Sequence, residues 1–299
     1  MTRALLMGMA LVALLAGTGR AGVLFQEDFE DTNLEARGWY DIHGWGSDKD
    51  MFIAGPPEVK ANTGQGCLRI RYQLGDTGGW LHIGLKTPVP EAYVRYYRMF
   101  PPGWEWPKGY GPHDTILFAG SYGSPTNTDL SVYLDFWKTA DTYVRVATAR
   151  QKWGYGGYAD VLRQKGGVAN RLPYNIAQAD KVEPGKWHCV EYYSKLSQPG
   201  KEDGIIRLWV NGKLVSDLTN LPLVDERHAG ILFNHLIIGP YFHGGSHKAQ
   251  WNYLDSLVIS TEYIGTLEQA AQRESAKAKA PASSGKMAPP PGWAPGETK

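Results

Sequence analysis

Cysteine is nearly absent from this chain, with two in 299 residues, too few for a disulfide scaffold or a multi-cysteine zinc module. Net charge is nearly absent as well: 31 Lys and Arg stand against 30 Asp and Glu. That balance excludes the basic face or arm a nucleic-acid binder carries. Long amphipathic helical patterns are missing, which excludes helical bundles and sheets with crossover helices. There is no Gly-x-Ser-x-Gly elbow, no His-Glu-x-x-His and no phosphate-binding glycine loop. What is plentiful is 11 Trp and 17 Tyr beside 36 Gly and 19 Pro. That mixture favours strands and turns, and Trp and Tyr are also what sugar-binding surfaces are made of.

The ends differ from the middle. Residues 1–21 have the pattern of a secretory signal peptide: Arg3, an apolar stretch from Ala4 to Gly17, then small residues at Gly19-Arg20-Ala21. The apolar run is shorter than the roughly 20 residues of a spanning helix, so the expectation is a secreted or periplasmic protein with no membrane span after cleavage. Residues 266–299 pass from an Ala/Gln/Glu/Lys stretch into Pro281, Ser283-Ser284-Gly285 and Pro289-Pro290-Pro291, the composition of a disordered tail. Between them, 22–265 is expected to form one domain. Without the seven basic and three acidic residues of the ends it holds 24 basic against 27 acidic residues. In an oxidising compartment Cys67 and Cys189 are either bridged or separately buried thiols, and their spacing leaves both open.

The middle is written in short segments of period two closed by turn residues. Leu68, Ile70 and Tyr72 alternate with Arg69 and Arg71. Leu130, Val132, Leu134 and Phe136 share one strand face, and Ser131, Tyr133, Asp135 and Trp137 share the other. Asn211-Gly212 marks a hairpin turn. At least eight such strands without crossover helices predict an all-β fold, a two-sheet antiparallel jelly-roll sandwich. The Gly-rich stretch from Trp153 to Asn170 is predicted as a long rim loop.

Four segments carry a resemblance. Leu24-Phe25-Gln26-Glu27-Asp28-Phe29-Glu30, Pro184-Gly185-Lys186-Trp187-His188-Cys189-Val190-Glu191, the stretch Asp203 to Lys213, and Trp251 to Ser260 resemble recurrent strands of concanavalin A-like sandwiches. Within them Trp187 and Trp209 are expected to be core. Tyr96 to Phe100 followed by Trp104 to Gly109, and Tyr241-Phe242-His243-Gly244-Gly245, are most similar to polysaccharide lyases of the alginate and glucuronan type. Where that family carries Gly-Gly-Lys-Leu-Pro-Gly, this chain reads Gly109-Tyr110-Gly111-Pro112-His113-Asp114. The family's lysine, which helps neutralise the substrate carboxylate, has no matching position. The resemblance also implies a structural Ca2+ held by Asp255 and the Gly66 carbonyl, with Glu27 or Asp28 nearby, since hard oxygen ligands suit that ion.

Elimination at a uronate needs a group that neutralises the carboxylate, a base for the C5 proton and an acid for the departing oxygen. The candidates are His113, Tyr133, Arg145 and His243, with Arg145 placed to meet a carboxylate in bidentate fashion. Each has a structural alternative: Tyr133 as a surface tyrosine, Arg145 as a cross-strand partner of Asp135, His113 as a turn residue. Asp135, Trp137, Trp153, Tyr155, Tyr158 and Tyr241 are candidates for holding or stacking on sugar. Hydrolysis fits less well: retaining glycosidases need two carboxylates about 5 Å apart, and Tyr133-Leu134-Asp135-Phe136-Trp137 carries one. His243 and His247 lack a third metal ligand. The expectation is a monomer that engages polysaccharide, acidic or of plant or algal origin, either as a lyase or as a non-catalytic lectin-like or envelope-adhesion module.

Overall fold

The computed structural model describes residues 22–46, 49–106, 113–120, 128–137, 141–148, 182–224, 226, 229–242 and 244–279, with backbone alone for 128, 129, 137, 141–148 and 277–279. Among them run fourteen strands: β1 (Val23–Glu27), β2 (Trp39–His43), β3 (Met51–Ala54), β4 (Cys67–Tyr72), β5 (Trp80–Val89), β6 (Glu91–Met99), β7 (His113–Gly120), β8 (Thr128–Trp137), β9 (Asp141–Thr148), β10 (Trp187–Lys195), β11 (Gly204–Val210), β12 (Lys213–Leu221), β13 (Phe233–Ile238) and β14 (Gln250–Ser260). They form two antiparallel sheets. The larger has the order β12-β11-β10-β6-β14-β4-β3, with β1 also on β14; the smaller has the order β2-β5-β13-β7-β8-β9. This is the two-sheet, jelly-roll sandwich of concanavalin A-like proteins.

Alternation builds the core. From the larger sheet Leu68, Ile70, Tyr72, Val94, Tyr96, Val190 and Leu254 point inward; from the smaller come Leu81, Leu117, Val132, Leu134, Phe136 and Leu236. A strand with one apolar and one polar face can satisfy both only at this boundary. Trp187 and Trp209 depart from expectation. Both are half-buried on the larger sheet's other face, where Trp209 packs at 5.2 Å from Tyr263 and Trp187 Nε1 donates to Lys60 O at 3.0 Å. An indole keeps its N–H satisfied there, at the wet edge of a packed surface.

The two thiols are separate. Leu68 lies opposite Leu254, so Cys67 falls beside Asp255; Asp255 lies opposite Tyr97, and Tyr97 opposite Cys189. Three strand intervals put the cysteines roughly 14 Å apart, beyond the reach of a disulfide. Both are free and buried, and burial pushes both thiols up, Cys189 to about 12.

The chain divides into two units, 1–264 and 265–299. In the second, α1 (Leu267–Lys279) starts at a reciprocal cap: Thr266 Oγ1 accepts from Gln269 N at 3.2 Å, and Gln269 Oε1 accepts from Thr266 N at 3.0 Å. The pair satisfies two donors at the helix start.

Candidate functional site

The polar positions of β8 face away from the core, and a bulge in β7 brings a histidine to meet them. Thr115 lies opposite Leu134 on the core side, so strict alternation would turn residue 114 outward and residue 113 inward. The register slips instead: His113 lies opposite Asp135, and Asp114 is the extra residue. A bulge of this kind re-aims side chains. Asp114 turns into the core, where its carboxylate pairs with Arg98 and accepts from Tyr96 Oη at 2.5 Å. Arg98 also donates to Asn252 Oδ1 at 3.0 Å. Burial pushes the Asp114 carboxyl up, against the pull of Arg98 and Tyr96. The outcome is one ion pair fastening the two sheets, with its immediate neighbour delivered to the outer face.

On that face His113 Nδ1 is 2.7 Å from Asp135 Oδ1. A carboxylate only accepts, so the Nδ1 of the neutral ring carries the proton and Nε2 carries the lone pair. The Tyr133 ring lies 5.1 Å from the His113 ring, and the Tyr241 ring lies 6.2 Å away and nearly parallel. Tyr241 O also accepts from His113 N at 3.0 Å. Tyr241 is 40% exposed, whereas His113, Tyr133 and Asp135 are buried. Arg145 lies directly opposite Tyr133 on β9, and Tyr143 opposite Asp135.

The expected residues therefore divide. His113, Tyr133, Asp135 and Tyr241 come together, and Arg145 occupies the adjoining register position. Asp135 is hydrogen-bonded to His113, and the register position opposite Arg145 is Tyr133. Trp137 ends β8 opposite Asp141. Trp153, Tyr155, Tyr158 and His243 lie outside the described residues.

The residues expected around a calcium ion have hydrogen-bond partners of their own. Asp255 Oδ2 accepts from Asn62 N at 2.9 Å and Thr63 N at 3.0 Å, and Oδ1 accepts from Ser256 N at 2.6 Å. Burial pushes its carboxyl up to about 7 against these three donors. Gly66 N donates to Glu30 Oε1 at 3.4 Å. Glu27 is committed elsewhere, accepting from Phe29 N, Arg37 Nε and Trp39 Nε1, each at 2.8 Å. N–H groups thus supply the positive partners of both buried carboxylates. Among the described residues no group of three or more His, Cys, Asp or Glu is placed to hold a metal ion.

Sequence reasoning missed a second group on the same face. His82 of β5 and His235 of β13 stack at 6.4 Å, Phe118 stacks on His235 at 4.5 Å, and Tyr40 sits 5.6 Å from His82. Their signal was available, since Leu81 and Ile83 are core and position 82 must face out, but the pairing of β5 with β13 across 150 residues is invisible in a local pattern. Burial and the neighbouring His82 push His235 down to about 4. The consequence has a definite sign. Between its ordinary value of about 6.5 and about 4, the unfolded chain binds a proton that the folded chain refuses, so stability falls as pH falls through that window. We expect wild type to lose roughly 3 kcal/mol there relative to His235→Gln, which has no titrating ring. Urea unfolding of both proteins at several pH values checks this, and parallel stability curves would refute it.

No family model and no curated protein matches the chain. Solved structures do. The marine PL-14 alginate lyase from Aplysia kurodai aligns at 15% identity and TM-score 0.57, over 81% of this chain and 100% of that one. The endo-β-1,4-glucuronan lyase from the fungus Trichoderma reesei aligns at 14% and 0.53, over 81% and 97%. An alginate lyase from a Chlorella virus aligns at 13% and 0.53, over 75% and 92%. At these identities the likeness is one of architecture: the chain carries a jelly-roll sandwich related to those of several polysaccharide lyases.

Proposed function

We propose that this is an exported, monomeric protein that cleaves uronate-containing polysaccharide by β-elimination on the outer face of its smaller sheet. The observation that carries the reading is the His113–Asp135 hydrogen bond of 2.7 Å beside Tyr133. Asp135 holds His113 in the tautomer whose Nε2 lone pair takes the C5 proton, and it stabilises the imidazolium that forms. Tyr133 protonates the departing glycosidic oxygen. Arg145, at the register position opposite, takes the role of the family's absent lysine and neutralises the uronate carboxylate, for which a guanidinium fork is suited. Exposed Tyr241 offers a ring for sugar stacking beside the base.

The test is ultraviolet absorbance of the new C=C bond on glucuronan, alginate and heparin-like substrates. A rising trace supports elimination; a flat trace on all of them removes it. The missing lysine favours one other reading, a glycan-binding module without catalysis, which predicts a flat trace with retained binding. A structural calcium ion at Asp255 and the Gly66 carbonyl is a separable part of the proposal. It predicts a higher Tm on adding calcium, absent in Asp255→Asn, and an unchanged wild-type Tm would discard it.

A further inference from the structure

The imidazoles of His82 and His235 are not used by the proposed chemistry, and their hydrogen bonding fixes what they offer. Asn234 Nδ2 donates to Gly120 O, so the amide is oriented and its Oδ1 is the atom 2.6 Å from His235 Nδ1. An amide oxygen only accepts, so Nδ1 carries the proton and His235 Nε2 is a bare lone pair. His82 Nε2 faces the Asp41 carboxylate at 3.7 Å, which favours the proton there and leaves Nδ1 bare. Among the described residues neither His82 Nδ1 nor His235 Nε2 has a hydrogen-bond partner, and neither does Ser131 Oγ on the same face. The three belong to adjoining rows. Tyr40, His82, Ile237, Ile116 and Tyr133 lie opposite one another in turn, and Gly84, His235, Phe118 and Ser131 form the next row. His82 and His235 are only 4% and 1% exposed. Burial lowers the proton affinity of both rings, so they are neutral at physiological pH.

Buried acceptors without donors are costly, and native proteins rarely leave them so. A group that brings O–H or N–H donors and an apolar face would satisfy them. We infer that the β5–β13 part of this face is a hydroxyl-reading subsite for a glycan: His82 Nδ1 and His235 Nε2 accept hydrogen bonds from sugar O–H groups, with the Phe118 and Tyr40 rings beside the sugar. The inference rests on the reading of this face as a glycan site and adds a division of labour to it. A carboxylate brings only lone pairs, so two bare nitrogens repel it. Uronate carboxylates are therefore confined to the side near His113 and Arg145. His82 and Tyr133 are three strand intervals apart, roughly 14 Å, farther than one sugar ring reaches, so the subsite holds a different residue of the chain from the one being cleaved.

Calorimetric titration of the full chain at neutral pH, with three tetrasaccharide probes, tests this. The probes are β-1,4-tetraglucuronate, the same compound acetylated at O2 and O3, and its carboxyl-reduced form with hydroxyls intact. Wild type should bind the acetylated probe about tenfold or more weakly than the parent, the effect of losing one neutral hydrogen bond. His82→Phe and His235→Phe keep a ring but lose the acceptor. They should weaken the parent probe by about tenfold and close the gap to the acetylated one. His235→Gln, whose Oε1 can accept, should restore much of the difference. Phe variants that bind all probes as wild type does, or a gap that persists in them as a steric effect would, overturn the inference. If His235→Phe does not fold by near-ultraviolet circular dichroism, His82→Phe carries the test alone. Equal wild-type binding of the carboxyl-reduced probe, weakened in the variants, would sustain this subsite while removing the uronate reading. Failure of wild type to bind any probe would remove both.

Discussion

Asp114→Asn is expected to cost about 3–5 kcal/mol of stability, because it leaves Arg98 charged and buried without its counter-ion. Both side chains are fully shut off from solvent. Asparagine preserves the shape and can still accept from Tyr96, so packing does not explain the loss. For a domain stable by about 5–15 kcal/mol that is a large fraction. Removing both charges, as in Arg98→Met with Asp114→Asn, should recover at least about 1 kcal/mol relative to the single variant, since replacing a buried pair with neutral groups is often nearly free. Urea unfolding of the two single variants and the double variant measures the coupling. Additive losses would mean that the pair contributes nothing as a pair. The site should feel the change as well, because Asp114 is the extra residue of the bulge that turns His113 outward.

Asp135→Asn should reduce kcat on a cleaved uronate polysaccharide by about 10²–10⁴, the range for losing a positioned general base. The reason is the tautomer. An asparagine amide can turn its NH2 toward His113 Nδ1, which then accepts, and the proton moves to Nε2, where the base must be bare. Because Asp135 acts through His113, KM should change little while kcat falls. Loss of a merely structural hydrogen bond would lower the amount of folded protein and leave kcat per folded molecule in place. A kcat within about threefold of wild type would remove His113–Asp135 from the mechanism. His113→Ala is the companion variant and should be at least as severe.

Much of the architecture was legible in alternation. The assignment of Leu130, Val132, Leu134 and Phe136 to one face and Tyr133 and Asp135 to the other holds, as does that of Leu68, Ile70 and Tyr72 to the core. Period two is a local property, and one buried face specifies it strongly. What alternation does not carry is register. Strict alternation places His113 inward, and only the slipped register against β8 reveals that His113 and Asp114 exchange sides. The register of β8 against β9 sets Arg145 opposite Tyr133 and Tyr143 opposite Asp135. Trp187 and Trp209 were expected in the core because they sit in strand signatures, yet a sandwich has a second packed face. His82 and His235 meet only because β13 inserts beside β5, which neither segment's own residues announce.

That insertion bears on how the protein can be made. The strand between β5 and β7 is β13, residues 233–238, and the strand between β4 and β6 is β14, residues 250–260. Both sheets thus wait for central members supplied late in the chain. Pairings this distant in sequence slow folding, because loop-closure entropy must be met before the contacts form. A nascent chain ending before β13 holds neither sheet together and exposes unpaired edges on β5 and β7, the surfaces on which strands from other molecules add. Closure of both sheets therefore waits for residues 233–260, and a fragment ending before β13 lacks the His82–His235 stack.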